Sequence, residues 1–376
     1  MSILGAIIVP HPPLIIPAVG HGRERDIQPT IDAYRIAAKQ VADWNPDVLF
    51  LASPHTVMYA DYFHISPGRN VWGDMSSFGA PKVSITTEYD EDLRKEMIRR
   101  AENIGLRAGT LGERDPALDH GAFIPLYFLH EAGVNCPIVR FGLSGHSALD
   151  HYRLGQCAAQ AAEALGKRAV FIASGDLSHK LKPDGPYGFA AEGPIFDQKV
   201  TDVMVSGNFL EFLSMDEVLC DKAAECGLGS FRIMAGALDG LAVESRLLSY
   251  EGPFGVGYAV AVFEAKGPDK TRCFVEVFER EELEQLSRAK AAEDPWVQLA
   301  RLSLETYVRT GKELAKLPEG LPEEMTSEAA GVFVSLHKYH QLRGCIGTIA
   351  PTTSCVAEEI VRNAISAGTE DPRFHP

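Results

Sequence analysis

Three histidines stand where imidazole chemistry is most easily built. His11 closes the run Ile7-Ile8-Val9-Pro10, and His55 closes Val48-Leu49-Phe50-Leu51-Ala52-Ser53-Pro54. His179 follows Ala169-Val170-Phe171-Ile172-Ala173-Ser174 and the segment Gly175-Asp176-Leu177-Ser178. Imidazole is the commonest metal ligand and the side chain best suited to moving protons near neutral pH. One histidine after an apolar run is usually a satisfied turn residue, whereas three in equivalent places read as a site. Prolines precede His11 and His55. A proline fixes its own backbone and keeps the residue before it out of helical geometry, so both rings ride on stiff turns, as a metal site requires. His120, in Asp119-His120-Gly121, is a fourth candidate, read equally well as a polar residue opening the apolar segment after it.

These side chains need elements to hold them. Apolar runs of this length suit strands covered on both faces, as in a parallel α/β sheet, where ligands bind beyond the carboxyl ends of the strands. Helices are predicted over residues 31–44, 91–104 ending at Gly105, and 148–165 ending at Gly166, because glycine commonly ends a helix in the left-handed conformation. Further strands are predicted over 137–141, 245–250 and 256–263. The alternation is that of a layered α/β domain. Gly252, Gly255 and Gly257 lead into a strand, which does not fit dinucleotide binding, and no Walker sequence occurs. From Lys266 to Asp294 the chain is strongly charged and reads as a partly helical connector. Asp294-Pro295 then caps a helix with Val297, Ala300, Leu304 and Val308 on one face until Gly311, which opens a second domain.

Composition narrows the function. With 376 residues and 45% hydrophobic residues the chain can build two domains without disulfides. Seven cysteines with no C-x-x-C pair fit neither a disulfide framework nor a structural zinc site. A formal charge of −15 argues against a nucleic-acid partner, whose binding depends on clustered Lys and Arg. No apolar run approaches the roughly 18 residues of a membrane span and no secretory signal opens the chain, so a cytoplasmic protein is expected.

Pro10-His11-Pro12-Pro13, Ser53-Pro54-His55, Asp119-His120-Gly121 and Ser174-Gly175-Asp176-Leu177-Ser178-His179, in this order, resemble the class III extradiol dioxygenases, the LigB-like superfamily, whose fold the Memo family shares. The resemblance covers roughly residues 1–266. It implies an αβα-layered domain around a mostly parallel or mixed sheet, and a non-haem Fe(II) held by His11, His55 and a third ligand. It further implies His179 as acid and base, His120 orienting substrate or oxygen, and a small catecholic or phenolic substrate. Two histidines and a carboxylate leave coordination positions open for both reactants, whose approach the metal's charge favours. In dioxygenases the third ligand is a glutamate, and in Memo-type proteins a cysteine before a glycine. Glu225 and Cys226-Gly227 offer both here. Adjacent residues point apart, so one of the two is expected to ligate. Other divalent metals remain open, as does metal-assisted hydrolysis. Asp176 is open between orienting His179, binding metal, and a cap or turn role; Tyr187 is open between lining the pocket and loop packing.

Gln341-Leu342-Arg343-Gly344-Cys345-Ile346-Gly347-Thr348 and Glu370-Asp371-Pro372-Arg373-Phe374 resemble the AMMECR family, which implies a smaller α+β domain over 293–376, with 267–292 as the connector. The family pattern runs on past Phe374, so this domain reads as incomplete. Arg343 and the flanking glycines make Cys345 either a reactive thiol or a buried turn residue. The fusion resembles the AmmeMemoRadiSam system, which implies a separate radical S-adenosylmethionine protein as partner and leaves self-association open. Without ring cleavage, a Memo-like metal-binding module is the alternative.

Overall fold

A computed structural model describes residues 2–112, 117–338 and 341–372. The central sheet has six strands: β1 (Ile3–Val9), β2 (Val48–Ser53), β3 (Ile138–Gly142), β4 (Ala169–Ser174), β5 (Leu241–Glu251) and β6 (Tyr258–Pro268), in the order β3-β2-β4-β1-β6-β5. The first four run parallel, while β6 and β5 join antiparallel, so the sheet is mixed. Every residue of β2 and β4 is buried. Such strands have no polar face, which is why their sequences are continuous apolar runs.

Two helical layers do the covering. On one face α1 (Gln28–Trp44) and α3 (His120–Glu131) pack around Ile7, Val9, Leu49 and Leu51. On the other, α2 (Glu91–Asn103), α4 (Ala148–Ala164), α5 (Glu192–Ser206) and α6 (Leu228–Ala237) pack around Ala6, Ile8, Phe50 and Phe171. Alternate residues of one strand thus enter opposite cores. The predicted helix ends hold, with Gly105 and Gly166 at φ 76° and 63°. The glycines from 252 to 257 sit in the turn between β5 and β6. A separate hairpin, Asn70–Met75 with Ala80–Glu88, is an element the periodicity does not announce.

The chain divides into two compact units, Met1–Phe278 and Glu279–Pro376. Much of the charged stretch is one helix, Phe274–Ala291, whose Phe274 and Phe278 are buried with the first unit. In the second unit Asp294 caps the helix Pro295–Thr310, and Gly311 ends it at φ 68°. The helix Val356–Thr369 packs beside it and beside the hairpin of Phe333–Lys338 and Gln341–Gly347, giving a small α+β arrangement. Buried Glu359 accepts hydrogen bonds from Thr348, Thr352 and Thr353. Arg373 and Phe374 lie outside the described residues. No helix among the described residues is long and apolar enough to cross a membrane.

Candidate metal centre

Strands β2, β4 and β1 are neighbours, so the segments leaving their carboxyl ends meet. His11 follows β1 and is 2% exposed, while His55 follows β2 at the rim of a cavity. Their Nε2 atoms face each other at 3.0 Å. The Cys226 sulfur, from the turn before α6, lies 3.7 Å from His11 Nε2. All three donor atoms lie within 4.8 Å of one another, the one such group among the described residues.

The surroundings hold these donors in place. His11 Nδ1 bonds Ser174 Oγ at 3.0 Å, and its backbone N–H donates to Asp176 Oδ1 at 2.8 Å. Asp176 in turn donates its backbone N–H to the Cys226 sulfur at 3.3 Å. This residue therefore joins the β1 turn to the cysteine turn. That contact depends on two glycines: a Cβ on Gly175 would stand 2.2 Å from the Cα of Gly227. Ser53 donates to Asp119 Oδ1 at 2.5 Å and accepts the His55 backbone N–H at 3.2 Å. Thr56 donates to Asp119 Oδ2 at 2.8 Å, and Arg140 lies 3.7 Å from the same oxygen. Burial opposes charge on Asp119, yet Arg140 and these hydrogen bonds outweigh it and hold the carboxyl below its usual range. Asp119 also caps α3 through Ala122 N–H, which fixes the start of the helix that presents His120.

Electrostatics favour neutral imidazoles. Burial, with His55 beside it, pushes His11 down to about 3, and burial likewise takes His120 down to about 4. Burial raises Asp176, and burial with Asp176 and Glu225 nearby pushes the Cys226 thiol well up. At 3.0 Å the two nitrogens share one N–H···N hydrogen bond when either ring carries its proton on Nε2, and with both lone pairs turned inward they suit a shared cation. A soft or borderline divalent metal satisfies both together with the sulfur. The donor set therefore fits a metal.

The His120 ring lies tilted beside that of His55, with centroids 4.0 Å apart, and 5.4 Å from that of His11. His179 donates Nδ1–H to the Ala224 carbonyl at 2.5 Å and its backbone N–H to Ala223 at 3.1 Å, tying it to the segment that carries Cys226. Tyr187 meets the His179 ring edge-on at 5.1 Å and is 60% exposed.

Glu225 points elsewhere. Its carboxylate accepts the Leu228 backbone N–H at 2.7 Å and so serves the start of α6. Its neighbour Ala224 adopts φ 53°, a left-handed turn that swings successive side chains apart. Sequence reasoning did not single out Ser174, Ser53 or Arg140, although the serines close the same apolar runs. In the second unit Cys345 receives the Ser335 hydroxyl at 3.1 Å and its backbone N–H donates to Asp371 at 2.8 Å.

A family model described as the catalytic LigB subunit of aromatic ring-opening dioxygenase matches residues 5–261, and one described as AMMECR1 matches residues 297–376. Protein CA_C1420 of Clostridium acetobutylicum is 38% identical over 391 residues, spanning all of this chain and 81% of its own. A protein of Thermotoga maritima is 51% identical over 85 residues, or 22% of this chain and 48% of its own. The chain thus spans most of the first relative and under half of the second. Among solved structures, the uncharacterized protein JW3007 from Escherichia coli K12 aligns over 69% of this chain and 99% of its own, with TM-score 0.45 and 14% identity.

Proposed function

The chain belongs to the LigB family, joined to an AMMECR1 domain, and from that premise we propose that it is a metal-dependent oxidoreductase of the extradiol dioxygenase type. His11, His55 and Cys226 would hold Fe(II), and a small phenol or catechol would be the substrate. The observation that carries this reading is the convergence of the three donors, one of which, His55, lines an open cavity of about 450 Å³ together with His120. Bound there, the metal supplies positive charge that favours an ionised substrate hydroxyl, and a redox couple for dioxygen.

The chain's own residues do the rest. His179 spends Nδ1–H on the Ala224 carbonyl, which selects the tautomer whose Nε2 lone pair accepts a proton. His120 is kept neutral by burial and can orient an oxygen atom by donating or accepting one hydrogen bond. Trp72, Leu118 and Phe78 give the cavity the apolar walls a ring needs. To test this, the full chain is prepared anaerobically, its iron measured, and oxygen uptake followed with a panel of catechols. Stoichiometric uptake with ring-opened product supports the reading, and tight iron with no turnover of any phenol or catechol removes it.

Cys226 favours a second reading. A thiolate is softer than the carboxylate expected for oxygen activation, which suits a Memo-like module that binds metal and works with a radical S-adenosylmethionine protein, without ring cleavage. Oxygen uptake separates the two.

A further inference from the structure

The first strand of the separate hairpin alternates in burial. Val71, Gly73 and Met75 are buried, while Trp72 and Asp74 turn outward. Residues two apart on a strand share a face, so indole and carboxylate stand side by side. Phe78, from the single turn Ser76–Phe78 that follows, joins them. Trp72 is 54% exposed and Phe78 38%, yet both line the same cavity as His55 and His120, and so does Asp74. The Phe78 ring meets His120 edge-on at 5.5 Å. The hairpin is fastened beside that histidine: Leu118 N–H donates to the Trp72 carbonyl at 2.8 Å. A Cβ on Gly73 would stand 2.7 Å from Leu118 Cβ, so only glycine permits the approach.

Among the described lining residues, negative charge exceeds positive by one. The ionic side chains among the described lining residues are Asp74, Asp119 and Arg140, two negative and one positive, and Asp119 pairs with Arg140 at 3.7 Å. Asp74 Oδ1 accepts both the backbone N–H and the hydroxyl of Ser76, while Oδ2 takes no hydrogen bond from any described residue. Exposed large aromatics beside a carboxylate on a cavity wall are the groups that recognise an organic ammonium ion, through the ring face and the counter-charge. The chain's net charge of −15 draws such cations in.

We propose that this cavity takes a phenol or catechol bearing a cationic alkylamine arm, with the ammonium at Asp74 and the arm packed on Trp72 and Phe78. The orientation rests on the reading above, hydroxyl end toward His55 and His120 and amine end toward the hairpin; the charge preference does not.

Three probes matched in ring and differing in arm charge test it: tyramine, 4-ethylphenol and 4-hydroxyphenylacetate. Each is titrated calorimetrically into the full chain, first metal-free and again after Zn(II) addition. Tyramine is expected to bind at least roughly fivefold more tightly than 4-ethylphenol, with 4-hydroxyphenylacetate weakest. Asp74→Asn keeps an acceptor for Ser76, so the turn survives, and should bring the three within about twofold of one another. Trp72→Leu should weaken tyramine about threefold or more. Equal binding of the three, binding of none, tightest binding of the carboxylate, or a preference that persists in Asp74→Asn overturns the proposal. Failure to take up Zn(II) while the Asp74-dependent preference remains counts against the metal assignment alone, and supports this one.

Discussion

The Nε2 atoms of His11 and His55, borne by the segments after two strands separated in the sheet by β4, meet at 3.0 Å. A metal ion held by both nitrogens and by the Cys226 sulfur would take the place of the single N–H···N hydrogen bond the two rings can otherwise share. Replacing the thiol should therefore be costly. Cys226→Ser should weaken Co(II) binding at least about tenfold and remove the thiolate-to-cobalt charge-transfer absorption, whereas Glu225→Gln keeps both. Retained absorption in Cys226→Ser, or lost binding in Glu225→Gln alone, would reverse the assignment.

The Gly175 and Gly227 backbones touch where the two halves of the centre join. Gly175→Ala forces them apart, with a cost of about 1–3 kcal/mol in unfolding free energy. It also lengthens the Asp176 N–H to sulfur contact. Denaturant melts and Co(II) titration of the same variant should both shift, and unchanged metal affinity would show that this contact does not position the sulfur.

His179→Gln should lower turnover at least about 100-fold while iron content stays at the wild-type level. Loss of iron instead would assign His179 to holding the Cys226 segment, through its bond to Ala224.

The second unit offers a pH test. Burial opposes charge on Glu359, but hydrogen bonds from Thr348, Thr352 and Thr353 prevail and hold its carboxyl down at about 2. A depressed carboxylate contributes stability that is complete above its unfolded value near 4.5 and is lost as pH falls toward about 2. The span corresponds to about 3 kcal/mol. Amide exchange of residues 352–353 in Glu359→Gln, within the full chain, should be faster than wild type at pH 7 and match it near pH 2. A difference that does not change with pH would contradict the linkage.

Much of this was legible in the sequence. Strands buried on both faces must be apolar throughout, so β1, β2 and β4 announce themselves, and the histidines after them mark the ligand edge of the sheet. Glu225 and Cys226 could not be separated that way, because the left-handed turn at Ala224 and the demand of the Leu228 N–H for an acceptor decide which side chain turns inward. The Gly175–Gly227 contact pairs residues far apart in the chain. Trp72 and Asp74 escaped because their short strand, with Gly73 between them, carries only a weak apolar alternation.

The most direct measurement is an anomalous-difference map at the iron edge from crystals of anaerobically prepared full chain. One peak is expected, bonded to His11 Nε2, His55 Nε2 and the Cys226 sulfur. A peak ligated by Glu225, or iron bound anywhere outside this cluster, would contradict that assignment.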